Sequence, residues 1–81
     1  MEDIMLSKLS FRIVLRPEPE GGYTVIVPSL PGCITFGESV EEAMTMAEDA
    51  IAAYLASMKK YGEEIIDDSR TFESVLNVEY A

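Results

Sequence analysis

Few residues in this chain are of types suited to chemistry: fifteen carboxylates, one thiol at Cys33, and no imidazole. Without histidine, a zinc site of His/Cys composition and a Ser-His or Cys-His nucleophile are excluded by inventory. Carboxylates alone still serve one reaction, two-metal phosphodiester hydrolysis, provided that several elements bring them together around ions a few ångströms apart. Glu42, Glu48 and Glu73 are the candidates, but residues 9–16, which the alternation below makes the first strand, hold no Asp or Glu to share a focus with them. They read instead as a helix cap, a solvated helix face and a strand edge. Gly21-Gly22 precedes a strand and no Lys-Ser/Thr follows, so it is not a phosphate cradle. Cys33 lies in or beside a strand with no base in reach and reads as a small buried hydrophobe. No catalytic residue, metal or cofactor is expected.

The charge is more informative. Fifteen acidic against six basic residues give a net charge of -9 over 81 residues. Such a chain is repelled by phosphate backbones, so direct nucleic-acid binding is not expected. Two readings of the acidity stay open: solubility, and a field that steers in a basic partner. Hydrophobic residues make up 48% of the sequence, enough for a folded core. The length allows one domain, residues 1–81, which buries only roughly 60–65% of its unfolded surface. Pairing with a second copy would relieve that shortage, so a homodimer or higher homo-oligomer is expected. Residues 1–10 carry no apolar run of signal-peptide length, and nowhere are there ~18 consecutive apolar residues. The expectation is a soluble, cytoplasmic protein with no membrane association.

The elements that position these residues follow from periodicity. Residues 9–16 alternate, with Leu9, Phe11, Ile13 and Leu15 on one side, which predicts a half-buried strand. Pro17, Pro19, Gly21 and Gly22 crowd into a hairpin loop. Tyr23, Val25 and Val27 then alternate with Thr24 and Ile26 as an antiparallel second strand that stops at Pro28. Pro28-Ser29-Leu30-Pro31-Gly32 is a rigid connection, and Cys33 to Gly37 is a short third strand whose buried face is assigned to Ile34 and Phe36. Ser39-Val40-Glu41-Glu42 is a capping box: the Ser39 hydroxyl accepts from the Glu42 amide, and the Glu42 carboxylate reaches back to the Ser39 amide.

The helix so started runs over 40–61, with Val40, Met44, Ala47, Ile51, Tyr54, Leu55 and Met58 as its apolar stripe and Gly62 as its stop. At about 33 Å it is too long for three short strands to cover. Part of its stripe should therefore lie under a fourth strand or against another subunit. Residues 63–70 read as a polar, acidic linker, and the alternation of Phe72, Ser74, Leu76, Val78 and Tyr80 predicts a closing strand. The predicted fold is α+β, in the order β-β-β-α-β: an antiparallel sheet with one long helix on one face.

One family shares these residues. The run from Gly22 through Tyr23, Val25, Val27, Pro28, Leu30, Pro31 and Gly32 to Cys33, followed by Gly37-Glu38-Ser39-Val40-Glu41-Glu42-Ala43, then by Ala50-Ile51 and Tyr54-Leu55, resembles the N-terminal domain of HicB antitoxins. The resemblance is close over residues 9–55 and looser over the last strand. It implies a degenerate ribonuclease H-like fold without nuclease activity, which oligomerises and neutralises a HicA-type mRNA-cleaving toxin in a type II toxin-antitoxin system. Such toxins are basic, with a catalytic histidine that the antitoxin covers, so the net charge acquires a matching partner.

On that reading Glu38, Glu41, Glu42, Asp67 and Asp68 are expected to face the partner, while Pro28, Pro31, Gly32, Ser39 and Glu42 serve as structural turn and cap. Many HicB proteins continue into a helix-turn-helix or ribbon-helix-helix domain that binds their operon DNA. No such segment appears up to Ala81, and the expected role is therefore the neutralising half alone. The alternative is a solitary homo-oligomer of the same family with no toxin partner.

Overall fold

The computed structural model describes residues 8–81. The reading of residues 1–7 as free of a signal-type apolar run lies outside them. Four elements follow in order: β1 (Val14–Pro17), β2 (Tyr23–Ile26), β3 (Ile34–Gly37) and α1 (Val40–Lys60). The strands form one antiparallel sheet in the order β1-β2-β3, with Leu15 opposite Val25 and Val25 opposite Thr35. This is the α+β arrangement read from the sequence. No helix among the described residues is long and apolar enough to cross a membrane.

The inner face of the sheet carries the odd-numbered side chains of the first two strands. Val25 is fully buried against Ala43 and Ala47, with Ile13, Leu15 and Tyr23 packed around them. Nearer the other end of the helix, Val27, Leu30 and Cys33 form a second buried cluster that takes in Phe11, Ile51, Tyr54, Leu55 and Met58. Leu30 comes from the Pro-Gly connection, which consists of two consecutive turns. The Leu30 amide donates to the Val27 carbonyl at 3.0 Å, and the Cys33 amide donates to the Leu30 carbonyl at 2.9 Å. Pro31 and Gly32 occupy the centre of the second turn, and Gly32 has φ +82°, as a type II turn requires. The loop thereby plugs the core with its one large apolar side chain.

The helix is bounded as predicted. Ser39 accepts from the Glu42 amide at 3.1 Å, though the Glu42 carboxylate reaches one residue further back than expected, to the Glu38 amide at 2.7 Å. At the far end the Gly62 amide donates to the Lys59 carbonyl and the Glu63 amide to the Met58 carbonyl, a Schellman arrangement with Gly62 at φ +68°.

Three sequence expectations are corrected. The third strand is turned over: Ile34 and Phe36 are 60% and 44% exposed, whereas Cys33 and Gly37 are buried. The cause is the start of the helix, which presses so closely on the sheet that a Cβ at Gly37 would fall inside the backbone of Ala43. For the same reason the helix rests on Ala43 and Ala47, and Val40 and Met44, expected in the stripe, are each about half exposed. Finally, residues 72–80 pair with no strand: Phe72, Leu76 and Tyr80 are 99%, 84% and 96% exposed. Alternation specifies two faces, but a strand also needs an edge to bond to, and these residues extend away from the sheet. The described molecule consequently measures 63 × 27 × 23 Å.

Candidate protein-binding surface

The five carboxylates expected to face a partner divide into two groups with different surroundings. Glu38, Glu41 and Glu42 sit at the junction of β3 and α1, placed there by the Ser39 cap, and all three are exposed. The Glu42 carboxylate is engaged in the cap. Glu48 and Asp49 extend the exposed acid set one to two turns along the helix. Among the described residues none of these five carboxylates lies in an ion pair, the cations that do so being confined to Arg12. Beside them stand the exposed side chains of Val40, Met44 and Met46. The result is a surface that mixes unpaired negative charge with apolar area. The negative charge also favours the helix N-terminus.

Asp67 and Asp68 are placed otherwise. Asp68 is the one buried polar side chain among the described residues. It accepts from the Ser29 hydroxyl at 2.6 Å, the Arg12 amide at 2.9 Å and the Thr71 hydroxyl at 3.0 Å, and the Arg12 Nε lies 3.8 Å away. The Ser29 hydroxyl, then the Arg12 amide, hold its carboxyl below the ordinary value. Its own amide donates to the Ser10 carbonyl at 2.7 Å. Asp67 accepts from the Ser10 amide at 2.9 Å, which lowers its pKa in turn. The expected acidic linker is thus a fastening, in which both carboxylates bind the chain to itself across more than fifty residues. The sequence showed the charge of Asp68 but not its donors, since Ser29, Arg12 and Thr71 converge only in three dimensions.

The loop that contains Pro28, Pro31 and Gly32 is tied on two sides. Ser29 holds Asp68, and the Tyr54 hydroxyl donates to the Pro31 carbonyl at 2.7 Å, fixing the loop to the middle of the helix. Tyr54 was placed in the stripe by its spacing, and the alternation of residues 9–16 gave no hint of the role of Arg12. Cys33 is buried, and burial pushes its thiol up, which suits packing and not nucleophilic attack. Among the described residues no three His, Cys, Asp or Glu side chains converge in a manner that could hold a metal ion. What the surface offers is charge, apolar area and a rigid support.

The comparisons agree with this composition. A family model described as HicB-like antitoxin of bacterial toxin-antitoxin system matches residues 11–81. A UPF0150 protein of Thermoplasma acidophilum is 38% identical over 61 residues, 75% of this chain and 88% of that protein. A UPF0150 protein of Archaeoglobus fulgidus is 43% identical over 51 residues, 63% of this chain and 74% of its own length. Antitoxin HicB of Escherichia coli is 44% identical over 43 residues, which are 53% of this chain but 31% of that antitoxin. The match over almost the whole described chain shows that this protein belongs to the HicB-like antitoxin family of bacterial toxin-antitoxin systems.

Proposed function

We propose that this protein is the neutralising component of a toxin-antitoxin pair and acts by binding a basic HicA-type ribonuclease, with no catalysis of its own. The observation that carries the reading is the set of exposed carboxylates at the β3–α1 junction, Glu38 and Glu41 above all, which no cation among the described residues occupies. Unpaired charge of one sign on a rigid cap raises the encounter rate with a partner of the other sign and rejects partners of the same sign. Val40 and Met46 supply the adjacent apolar contact that holds such a partner once it has arrived. The absence of histidine and the acid-free stretch 9–16 support a non-catalytic role. Asp67 and Asp68 support it indirectly, by fastening the fold behind the surface.

The test is co-expression with the protein encoded beside it. A basic neighbour should be captured and its RNA cleavage suppressed; a neighbour that neither binds nor loses toxicity sinks the proposal and favours a solitary oligomer. Glu38→Lys and Glu41→Lys should each slow association several-fold at low salt, and the double variant more. Unchanged association rates would remove these residues from the interface.

A further inference from the structure

The helix packs on β3 and β2 and leaves the β1 side of the sheet uncovered. There Leu9, Phe11 and Ile13 from the β1 side and Met44, Ala47 and Ile51 from the helix line an open groove of about 270 Å³. Among the described residues the backbone beside it is unpaired as well. The Val27 amide donates to the Cys33 carbonyl, so in the antiparallel register the odd positions of β2 bond β3 and the even ones, Thr24 and Ile26, bond β1. Val14 and Arg16 therefore turn their amides toward β2. Ile13 and Leu15 turn theirs to the open edge. Among the described residues the sheet thus has an unpaired edge and, under it, a groove that is apolar but for Glu48.

The same chain carries a segment of matching form. Residues 72–80 are extended and alternate, with Phe72, Leu76, Val78 and Tyr80 on one side and Glu73 and Glu79 on the other. Their root is held by Asp68 at Ser10 and Arg12, whose even-numbered amides face the β2 side of the strand, away from the bare edge. We propose that residues 72–80 of one copy add as a fourth strand to the β1 edge of a second copy, and that the exchange is reciprocal.

Phase and charge both favour this occupant. A strand laid on the edge with its apolar side over the groove puts Glu73 and Glu79 on the opposite sheet face. That face is where Arg12 and Arg16 project, Arg12 lying 3.6 Å from Glu73 of its own chain. Three of the chain's six basic residues, Lys8, Arg12 and Arg16, belong to the stretch that leads into and forms this edge, so the donor's acids meet a local run of positive charge. Two tails of four large apolar side chains, Phe72, Leu76, Val78 and Tyr80, at roughly 150 Å² each, would bury ~1,200 Å² before the acceptor surface is counted, the size of a stable interface. Reciprocal exchange also closes on a two-fold axis and leaves no open edge to polymerise. The proposal goes beyond the antitoxin reading and does not depend on it.

The experiment uses the full chain alone, by light scattering after size exclusion and by filtered NOE spectra of isotopically labelled chains mixed with unlabelled ones. The expected result is twice the 9.0 kDa mass of one chain, with intermolecular NOEs from the Leu76 and Val78 methyls to those of Ile13 and Ile51. Leu76→Asp with Val78→Asp, at positions exposed in the single chain, should give the mass of one chain with unchanged helical circular dichroism. A wild-type monomer, a dimer that persists in the double variant, NOEs confined to one chain, or tail contacts that arise only with a toxin would each overturn the proposal.

Discussion

Asp68 has the same charge as fourteen other side chains and a different task. Its carboxylate collects three hydrogen bonds from three segments far apart in sequence, and this lowers its pKa because each donor favours the ionised form. The sign of the consequence follows by linkage. A folded pKa below the unfolded one means that the unfolded chain binds the extra proton first, so the stabilisation is fully present above about pH 4–5 and is lost as pH falls through the folded value. Asp68→Asn should therefore lower the thermal midpoint at pH 7, and its deficit against the wild type should shrink as pH is taken below 4. A deficit that stays constant over that range, in paired thermal melts, would show that the charge of Asp68 is not what matters. Glu38→Gln, a change at an exposed side chain, should leave the midpoint at pH 7 almost unmoved. None of this was visible at the residue scale in the sequence, where Asp67-Asp68 looks like any acidic linker.

At the scale of elements, what was legible followed from local rules. The helix start at Val40, its stop at Gly62, the hairpin, and the inward phase of β1 and β2 each depend on residues within a few positions of one another. What was misread depended on how closely two elements approach. Ile34 and Phe36 are larger and more apolar than Cys33 and Gly37, and periodicity alone gives them the core. The helix start nevertheless needs a residue without a Cβ directly beneath Ala43, and Gly37 is the one that fits. Once Gly37 faces inward, Cys33 and Thr35 must follow. Gly37→Ala should thus cost about 3 kcal/mol, the upper end of overpacking, since backbone and not a flexible side-chain tip blocks the new methyl. Ser39→Ala, which removes a cap and no packing, should cost ~1 kcal/mol. Urea titrations that ranked the two the other way would refute the close approach as the reason for the inverted strand.

On the scale of the whole molecule the charge acts on folding and on binding with opposite signs. Ion pairs among the described residues involve only Arg12, so most of the fifteen carboxylates repel one another without local compensation. Folding brings them closer together, and screening relieves that repulsion more in the compact state than in the open chain. Salt shortens the Debye length from about 30 Å at 0.01 M to roughly 6 Å near 0.3 M. The thermal midpoint at pH 7 should accordingly rise over that range. The fall expected for a fold held together by surface ion pairs would show instead that the Arg12 network outweighs the repulsion. Association with a basic partner should respond in the other direction, its rate constant dropping steeply over the same salt series while the dissociation rate changes little. Stopped-flow mixing with the proposed basic partner, run beside the melts in identical buffers, separates the two effects. A protein whose fold gains and whose encounter rate loses on adding salt is using its acidity for the partner.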